Sequence, residues 1–261
     1  MRFEFGKNWT SFSQKALNEE GKNQARRDLT ALLNGESLRE KKFLDIGFGQ
    51  GLTLCIATEQ GALAHGLDID DHNLNALKLT SDSFGFEVPP PVTIGSVLDP
   101  QTIDSLERNG KYDIVHSWGV LHHTGDMKAA IINASRLVKE NGTFILSIYN
   151  RHWSSPFWVY IKRFYCWAPA IIQRAMVAAF YWIIYIAKFL VTGKNPMSSR
   201  RGMDYYHNVI DWIGGYPYEY ASAHEIQSLL KSKGFEQTYY RQATVPTGCN
   251  EFVFTNRSAS S

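Results

Sequence analysis

Phe43-Leu44-Asp45-Ile46-Gly47-Phe48-Gly49-Gln50-Gly51 decides how this chain is read. The apolar run 43–46 has the length and composition of a short buried strand. Three glycines at alternate positions follow at once, and Leu52-Thr53-Leu54-Cys55-Ile56-Ala57 then opens a helical pattern. Strand, glycine turn and helix make the first step of a nucleotide-binding βαβ unit. Glycine serves there because a side chain would hold a bound ligand off the backbone. The helix behind the turn offers unpaired N–H groups.

The spacing is Gly-x-Gly-x-Gly, with Leu52 where a dinucleotide site would want its third glycine. Asp45 stands just before the turn, where a carboxylate repels a pyrophosphate and attracts an ammonium group. An adenosine ligand with a cationic amino group and a sulfonium, S-adenosyl-L-methionine, fits both features. Here the sequence resembles the class I S-adenosylmethionine-dependent methyltransferases, over residues 40–150 and 221–256. The segment Val120-Leu121-His122-His123 is similar to one in the ubiquinone-biosynthesis type, and the whole resembles a bacterial subfamily of it. The resemblance implies a Rossmann-like, doubly wound α/β fold: a mostly parallel seven-stranded sheet ending in an antiparallel hairpin.

Outward from the glycine turn, the strand 63–68 ends in Asp68, about 20 residues on, where such a site needs an acceptor for ribose hydroxyls. Ile69 is placed to pack on adenine. Asp70 and Asp71 read as acids at the start of a helix over 71–84, favourable beside its dipole. After a third strand at 92–95 come Ser96 and Val97, adenine-side positions. Relatives carry an acid where Ser96 stands, so a hydroxyl or backbone contact has to substitute. Asp99 could also hold the adenine amino group, but Asp99-Pro100 reads equally as a helix cap.

The fourth strand, 112–117, runs into Ser117, Trp118 and then the histidine pair. Open α/β sheets bind ligands beyond the carboxyl ends of their strands, so this run faces the pocket. His122 and His123 are the candidate bases for a hydroxyl or protonated amine acceptor, with His122 ranked first. The fifth strand, 142–149, delivers Tyr149 and His152 to the pocket rim. A helix over 223–234, capped by Ser222, and strands at 237–241 and 250–254 complete the core.

Ahead of the glycine turn, a helix over 13–33 ends at Asn34-Gly35. In the enzymes this chain resembles, helices before the first strand cover the cofactor. Trp9 is therefore either a lid over its methionine end or, with Phe5, a staple between helix and sheet.

Residues 141–203 contain no Asp or Glu, yet hold Arg151, Lys162, Arg163, Arg174, Lys188, Lys194, Arg200 and Arg201 among many aromatics. The uncharged run 175–187 falls short of the about 20 residues a membrane span needs. Two helices split near Ala168-Pro169, forming a cap with buried aromatic faces, are expected. The alternative is a peripheral membrane contact through 157–192, aromatic and basic. Beyond it, Arg200 and Arg201 could grip an acceptor carboxylate or phosphate, and Tyr205, His207 and Tyr218 could line its pocket.

The expected division is 1–37 lid segment, 38–150 cofactor-binding core, 151–220 cap insertion and 221–256 closing part of the sheet. The chain has 261 residues and a net charge of +2, which disfavours a dedicated nucleic-acid binder. Cys55, Cys166 and Cys249 are scattered in no metal-ligand pattern, so no metal is implied and a cytoplasmic protein, peripheral to the inner membrane face in the alternative, is expected. The reading is methyl transfer to the O or N of a small-molecule acceptor. An NAD-dependent oxidoreductase is opposed by Leu52 and Asp45, and a non-catalytic interaction protein by the intact glycine turn with its ribose acid.

Overall fold

The computed structural model describes residues 19–193, 195–198 and 205–257. Within them, α1 (Glu19–Leu32) precedes a run of alternating elements: β1 (Lys42–Ile46), α2 (Leu52–Glu59), β2 (Leu63–Asp68), α3 (Asn73–Ser83), β3 (Val92–Ile94), α4 (Pro100–Arg108), β4 (Tyr112–Trp118), α5 (Met127–Arg136) and β5 (Val138–Tyr149). The insertion supplies α6 (Ser155–Trp167), α7 (Ala170–Thr192) and α8 (Tyr205–Gly214). The chain closes with α9 (Ala223–Lys231), β6 (Phe235–Arg241) and β7 (Cys249–Asn256).

Among the described residues, seven strands form one sheet in the order β3-β2-β1-β4-β5-β7-β6. The pairs β1–β2, β1–β4, β2–β3 and β4–β5 are parallel; β7 runs antiparallel to both β5 and β6. This is the doubly wound sheet with a terminal hairpin expected from the sequence. The strand order reverses between β1 and β4, so the crevice beyond their carboxyl ends is where a ligand belongs.

Both faces of the sheet are covered, which is why β1 and β5 read as continuous apolar runs. One face packs Ile103 and Leu106 of α4, Ala130 and Ile131 of α5, and Ile226 and Leu230 of α9 against Leu44, Val115, Phe144 and Phe252. The other packs Leu29 of α1, Leu54 to Ala57 of α2 and Leu77 of α3 against Phe43, Ile114 and Ile145. Phe43, Phe144, Phe252 and Phe254 are fully enclosed, each stabilising the fold by roughly 1.5–3 kcal/mol.

Helix ends follow local chemistry. Asp99 accepts from the backbone N–H of Gln101 and Thr102 and from the Thr102 hydroxyl, so of its alternative readings it is the cap of α4. Ser222 and Glu225 form a reciprocal capping box on α9, an arrangement that satisfies N–H groups a bare helix end leaves open.

The insertion breaks between α6 and α7 at Ala168-Pro169, as expected. It differs from expectation in two ways. Arg174 and Lys188, which flank the uncharged run, do not end the helix: α7 continues for 23 residues and is long and apolar enough, by length and composition alone, to cross a membrane. Nor are its aromatic faces enclosed. Only Val177 and Ile184 of α7 are buried, in a small core with Tyr165, Tyr205, Val209 and Ile213.

Candidate active site

The glycine turn lies over the carboxyl ends of β1 and β2. Gly47, Gly49 and Gly51 all have positive φ, at 73°, 55° and 78°, a region that L side chains rarely enter. The reason for glycine is partly internal. A Cβ on Gly47 would come within 2.4 Å of the Val120 side chain, and one on Gly51 within 2.3 Å of Leu77. The turn is thus packed against the loop after β4 and against α3, besides presenting backbone to the crevice.

Asp68 ends β2 almost enclosed, at 7% exposure. Its Oδ2 accepts from Gly49 N–H and its Oδ1 from Asp70 N–H, both at 3.0 Å. Burial pushes its carboxyl up, and the Asp70 and Gly49 amides and Asn73 oppose that. One carboxylate therefore ties the glycine turn to the end of β2, beside exposed Ile69. Asp45 lies deeper, with its Oδ1 2.7 Å from His116 Nδ1 on the neighbouring strand. His116 in turn stacks between Phe43 and Trp118, and Ser117 donates to the Ile46 carbonyl. A left-handed glycine cradle with a buried carboxylate at the adjacent strand end suits S-adenosylmethionine: Asp68 would accept from its ribose hydroxyls, and Asp45 would set a negative field near its amino group.

At the expected adenine-side positions, the Ser96 hydroxyl accepts from Leu98 N–H, forming a turn that buries Val97. The Val97 carbonyl accepts from the Asn133 amide.

Past the end of β4, a single 3₁₀ turn (Leu121–His123) holds the histidine pair. Tyr149 N–H reaches His122 Nδ1 at 3.4 Å. His122 is completely buried, and its Nε2 has no hydrogen-bond partner among the described residues. Burial holds its pKa well below the usual value, with His123 and Lys162 adding to the effect and the Ser147 carbonyl opposing it. His123 is arranged the other way. Its Nδ1 lies 2.6 Å from the Pro217 carbonyl, which can only accept, so Nδ1 carries the proton and Nε2 the lone pair.

These histidines belong to a buried cluster that the sequence did not reveal as one. The Tyr149 ring meets His122 and Tyr218 at tilted angles and Trp212 edge to face. Lys162 of α6, fully enclosed, points its ammonium at the Trp212 and Tyr218 rings, 4.7 and 4.8 Å away, and at Tyr149 at 5.7 Å. It donates to the Trp212 carbonyl. Burial pulls the Lys162 pKa down to about 7, with Asp211 the main opposing charge. The same burial pushes Tyr149 well above its ordinary value and Cys249 up to about 12. Lys162 escaped notice because its partners come from β5, α8 and the 218 segment. The one available signal was a lysine whose helical neighbours Val159, Tyr165 and Cys166 are apolar or aromatic.

Of the expected acceptor-side residues, Tyr149 and Tyr218 meet in this cluster. His152 instead bonds Ser154 at the start of α6. Tyr205 is corrected: it donates to the Tyr181 carbonyl inside the insertion's own core and is not brought to the histidines. His207 lies on α8, its side chain outside what is described, and Trp9, Arg200 and Arg201 fall outside the described residues. A cleft of about 440 Å³ lined by Tyr165, Arg174, Val177, Trp182 and Ile210 lies within the insertion and shares no residue with the glycine turn.

Comparison with known proteins bears on this arrangement. The family described as "Methyltransferase domain" matches residues 17–239. The ubiquinone biosynthesis O-methyltransferase of Rhodopseudomonas palustris (strain HaA2) is 29% identical over 44% of this chain and 42% of its own length; that of Bartonella quintana is 28% identical over 49% and 48%. The chain thus spans under half the length of these curated relatives. Among solved structures, a SAM-dependent methyltransferase from Anabaena variabilis aligns with a TM-score of 0.58 at 12% identity, over 97% of this chain and 94% of its own. The magnesium protoporphyrin IX methyltransferase from Synechocystis PCC 6803 with bound SAH aligns at 0.55 and 14%, over 91% and 84%. With a family match over most of its length, the chain belongs to the methyltransferase-domain family, the class I fold that uses S-adenosylmethionine.

Proposed function

We propose that this protein methylates an oxygen or nitrogen of a small-molecule acceptor brought to the carboxyl ends of β4 and β5. The observation that carries the reading is the juxtaposition, at one end of the sheet, of the Asp68–Gly49 cradle and the His122–His123 turn. When bound, S-adenosylmethionine supplies an activated methyl group on a sulfonium. The protein's own work is then alignment of an in-line displacement and removal of one proton from the acceptor.

Burial and tautomer bear on the choice of base. His122 is completely buried, and its Nε2 meets no hydrogen-bond partner among the described residues. His123 keeps its Nε2 lone pair because Nδ1 is the donating nitrogen. That tautomer supports His123 as the base, ahead of the enclosed His122, with Tyr149 and Tyr218 shaping the acceptor wall. Residues 38–150 with 221–256 act as the cofactor core and 151–220 as the acceptor-side insertion. The net charge of +2 supports a small molecule over a nucleic acid, and the reduced-thiol pattern supports the cytoplasm.

Turnover against pH for His123→Ala and His122→Ala, screened over phenolic and amine acceptors, tests this. His123→Ala is expected to lower turnover roughly 10²–10⁴-fold with S-adenosylhomocysteine affinity unchanged, and part of the loss should return at high pH. Parental turnover and pH profile in His123→Ala would overturn the assignment. A lipophilic acceptor is the second reading, favoured by the exposed apolar faces of the insertion and by the similarity to ubiquinone biosynthesis O-methyltransferases.

A further inference from the structure

The apolar residues that α6 and α7 leave in solvent are not scattered. On α6, Phe157, Tyr160, Phe164 and Trp167 are exposed; steps of three and four residues put them on one helical face. On α7, Ile171, Ile172, Trp182, Ile183, Ile186, Phe189 and Leu190 are exposed; the exposed alanines 175, 178 and 179 lie among them, and Arg174 and Ala187 lie at the edges of the same face. They form one stripe along the whole helix, opposite Val177 and Ile184, which face the insertion's core. A stripe of this length on a monomer's surface marks an interaction site.

Charge names the occupant. Residues 141–203 carry no carboxylate, and the exposed Arg163 and Arg174 border the stripes. Trp153, Trp167 and Trp182, at 77%, 68% and 58% exposure, are of the residue type that favours the boundary between lipid headgroup and acyl chain. An apolar face edged by arginine and tryptophan, with no acid to repel anionic headgroups, matches a negatively charged bilayer.

We propose that α6 and α7 dock the protein in the plane of an anionic lipid bilayer, without crossing it. Crossing is opposed by α8. It packs along α7, with Tyr205 bonded to the Tyr181 carbonyl and set against the Tyr181 and Tyr185 rings. Its Lys162-bound end then returns to the catalytic cluster through Trp212. Driving α7 through a bilayer would carry this helix in too, although it has 10 residues and contains Asn208 and Asp211. A spanning segment needs about 20 apolar residues.

The docking reading goes beyond the methyl-transfer reading and holds whatever the acceptor is. Its test is sedimentation of the full chain with vesicles of phosphatidylcholine alone and of phosphatidylcholine mixed with phosphatidylglycerol, at ~0.15 M salt. At least about tenfold more protein should follow the anionic vesicles, and added salt should release it. Brominated acyl chains should quench tryptophan fluorescence on the anionic vesicles. Ile186→Glu with Leu190→Glu, both exposed positions, should abolish sedimentation while leaving the melting transition and S-adenosylhomocysteine binding as in the parent. Equal binding to neutral vesicles, no binding to either, or sedimentation unaffected by the double substitution would overturn the proposal. So would a dimer in free solution that the same substitutions dissolve, since the occupant would then be a second copy. Retention on vesicles through an alkaline carbonate wash would overturn in-plane docking in favour of a span.

Discussion

The two halves of the candidate site bury charge in opposite ways. On the glycine-turn side, the enclosed groups are acids with partners in place: Asp45 with His116, and Asp68 with two backbone amides. On the insertion side, the enclosed groups are basic. Lys162 and His122 are surrounded by aromatic rings, with Asp211 the main charge that favours the lysine's protonated form. A buried acid held by amides is a preformed receptor for hydroxyls and cations. A buried amine in an aromatic shell is held near the point where it gives up its proton. On the proposed function, the glycine-turn side is the donor half, with its carboxylates already held, and the insertion side is the acceptor half, sensitive to protonation.

The largest expected effect lies on the donor half. Gly47→Val combines a positive φ with a Cβ 2.4 Å from Val120. Strain and overpacking of about 1–3 kcal/mol each should leave no S-adenosylhomocysteine binding detectable by calorimetry. Adding Val120→Ala to the milder Gly47→Ala separates the two causes. If binding returns, packing rather than backbone strain was the obstacle.

Asp68→Ala comes next. It removes an acceptor for the ribose and releases Gly49 N–H, so affinity for S-adenosylhomocysteine should fall by about 1–3 kcal/mol, or roughly 10- to 100-fold. Unchanged affinity would mean that the turn alone binds the ligand and that the two halves differ less than their burial implies.

The acceptor half should reveal itself in stability against pH. Unfolded, Lys162 holds its proton up to about 10.5; folded, it releases it near 7. Between those values the unfolded chain binds more protons, so stability rises with pH, and the penalty of the buried charge is fully present below pH 7. From pH 7 to about 8.5 the gain is ~2 kcal/mol. At higher pH, Cys249 and Tyr149, kept protonated by the fold, act in the opposite sense. Urea unfolding over this range should show the slope in the parent and not in Lys162→Met. An equal slope in both would place the titration elsewhere.

The same contrast explains what the sequence made legible. The glycine turn, Asp68 and the strand–helix alternation are local: spacing within some 25 residues carries them, and the sheet bears out the alternation strand by strand. The acceptor-side cluster is assembled from β5, the 3₁₀ turn, α6, α8 and the 218 segment, and no window of sequence contains two of its long-range contacts. Lys162 therefore read as one of many basic residues. Tyr205, three residues from a polar glycine-rich run, read as a pocket residue, although the helix turns it toward Tyr181. The length of α7 was missed for a different reason. Arg174 and Lys188 interrupt an apolar run on paper, but both are good helix formers and break nothing.

The hydrogen bonds at the root of the insertion have a wider consequence. Arg151 N–H donates to the Ala221 carbonyl, Ala221 N–H to the Tyr149 carbonyl, and Asn150 bridges to Ala221. The chain leaves the sheet and returns beside it at one stitched seam, and Pro217 and Glu219 fasten its end to the histidine turn. For a segment so fastened, each doubling of its length adds only about 0.6 kcal/mol of closure entropy. Closure therefore sets little limit on how long the material between these fastenings can be. An ancestor could trade one such module for another, acquiring a new acceptor or a new anchorage, while the cradle for the methyl donor was inherited untouched.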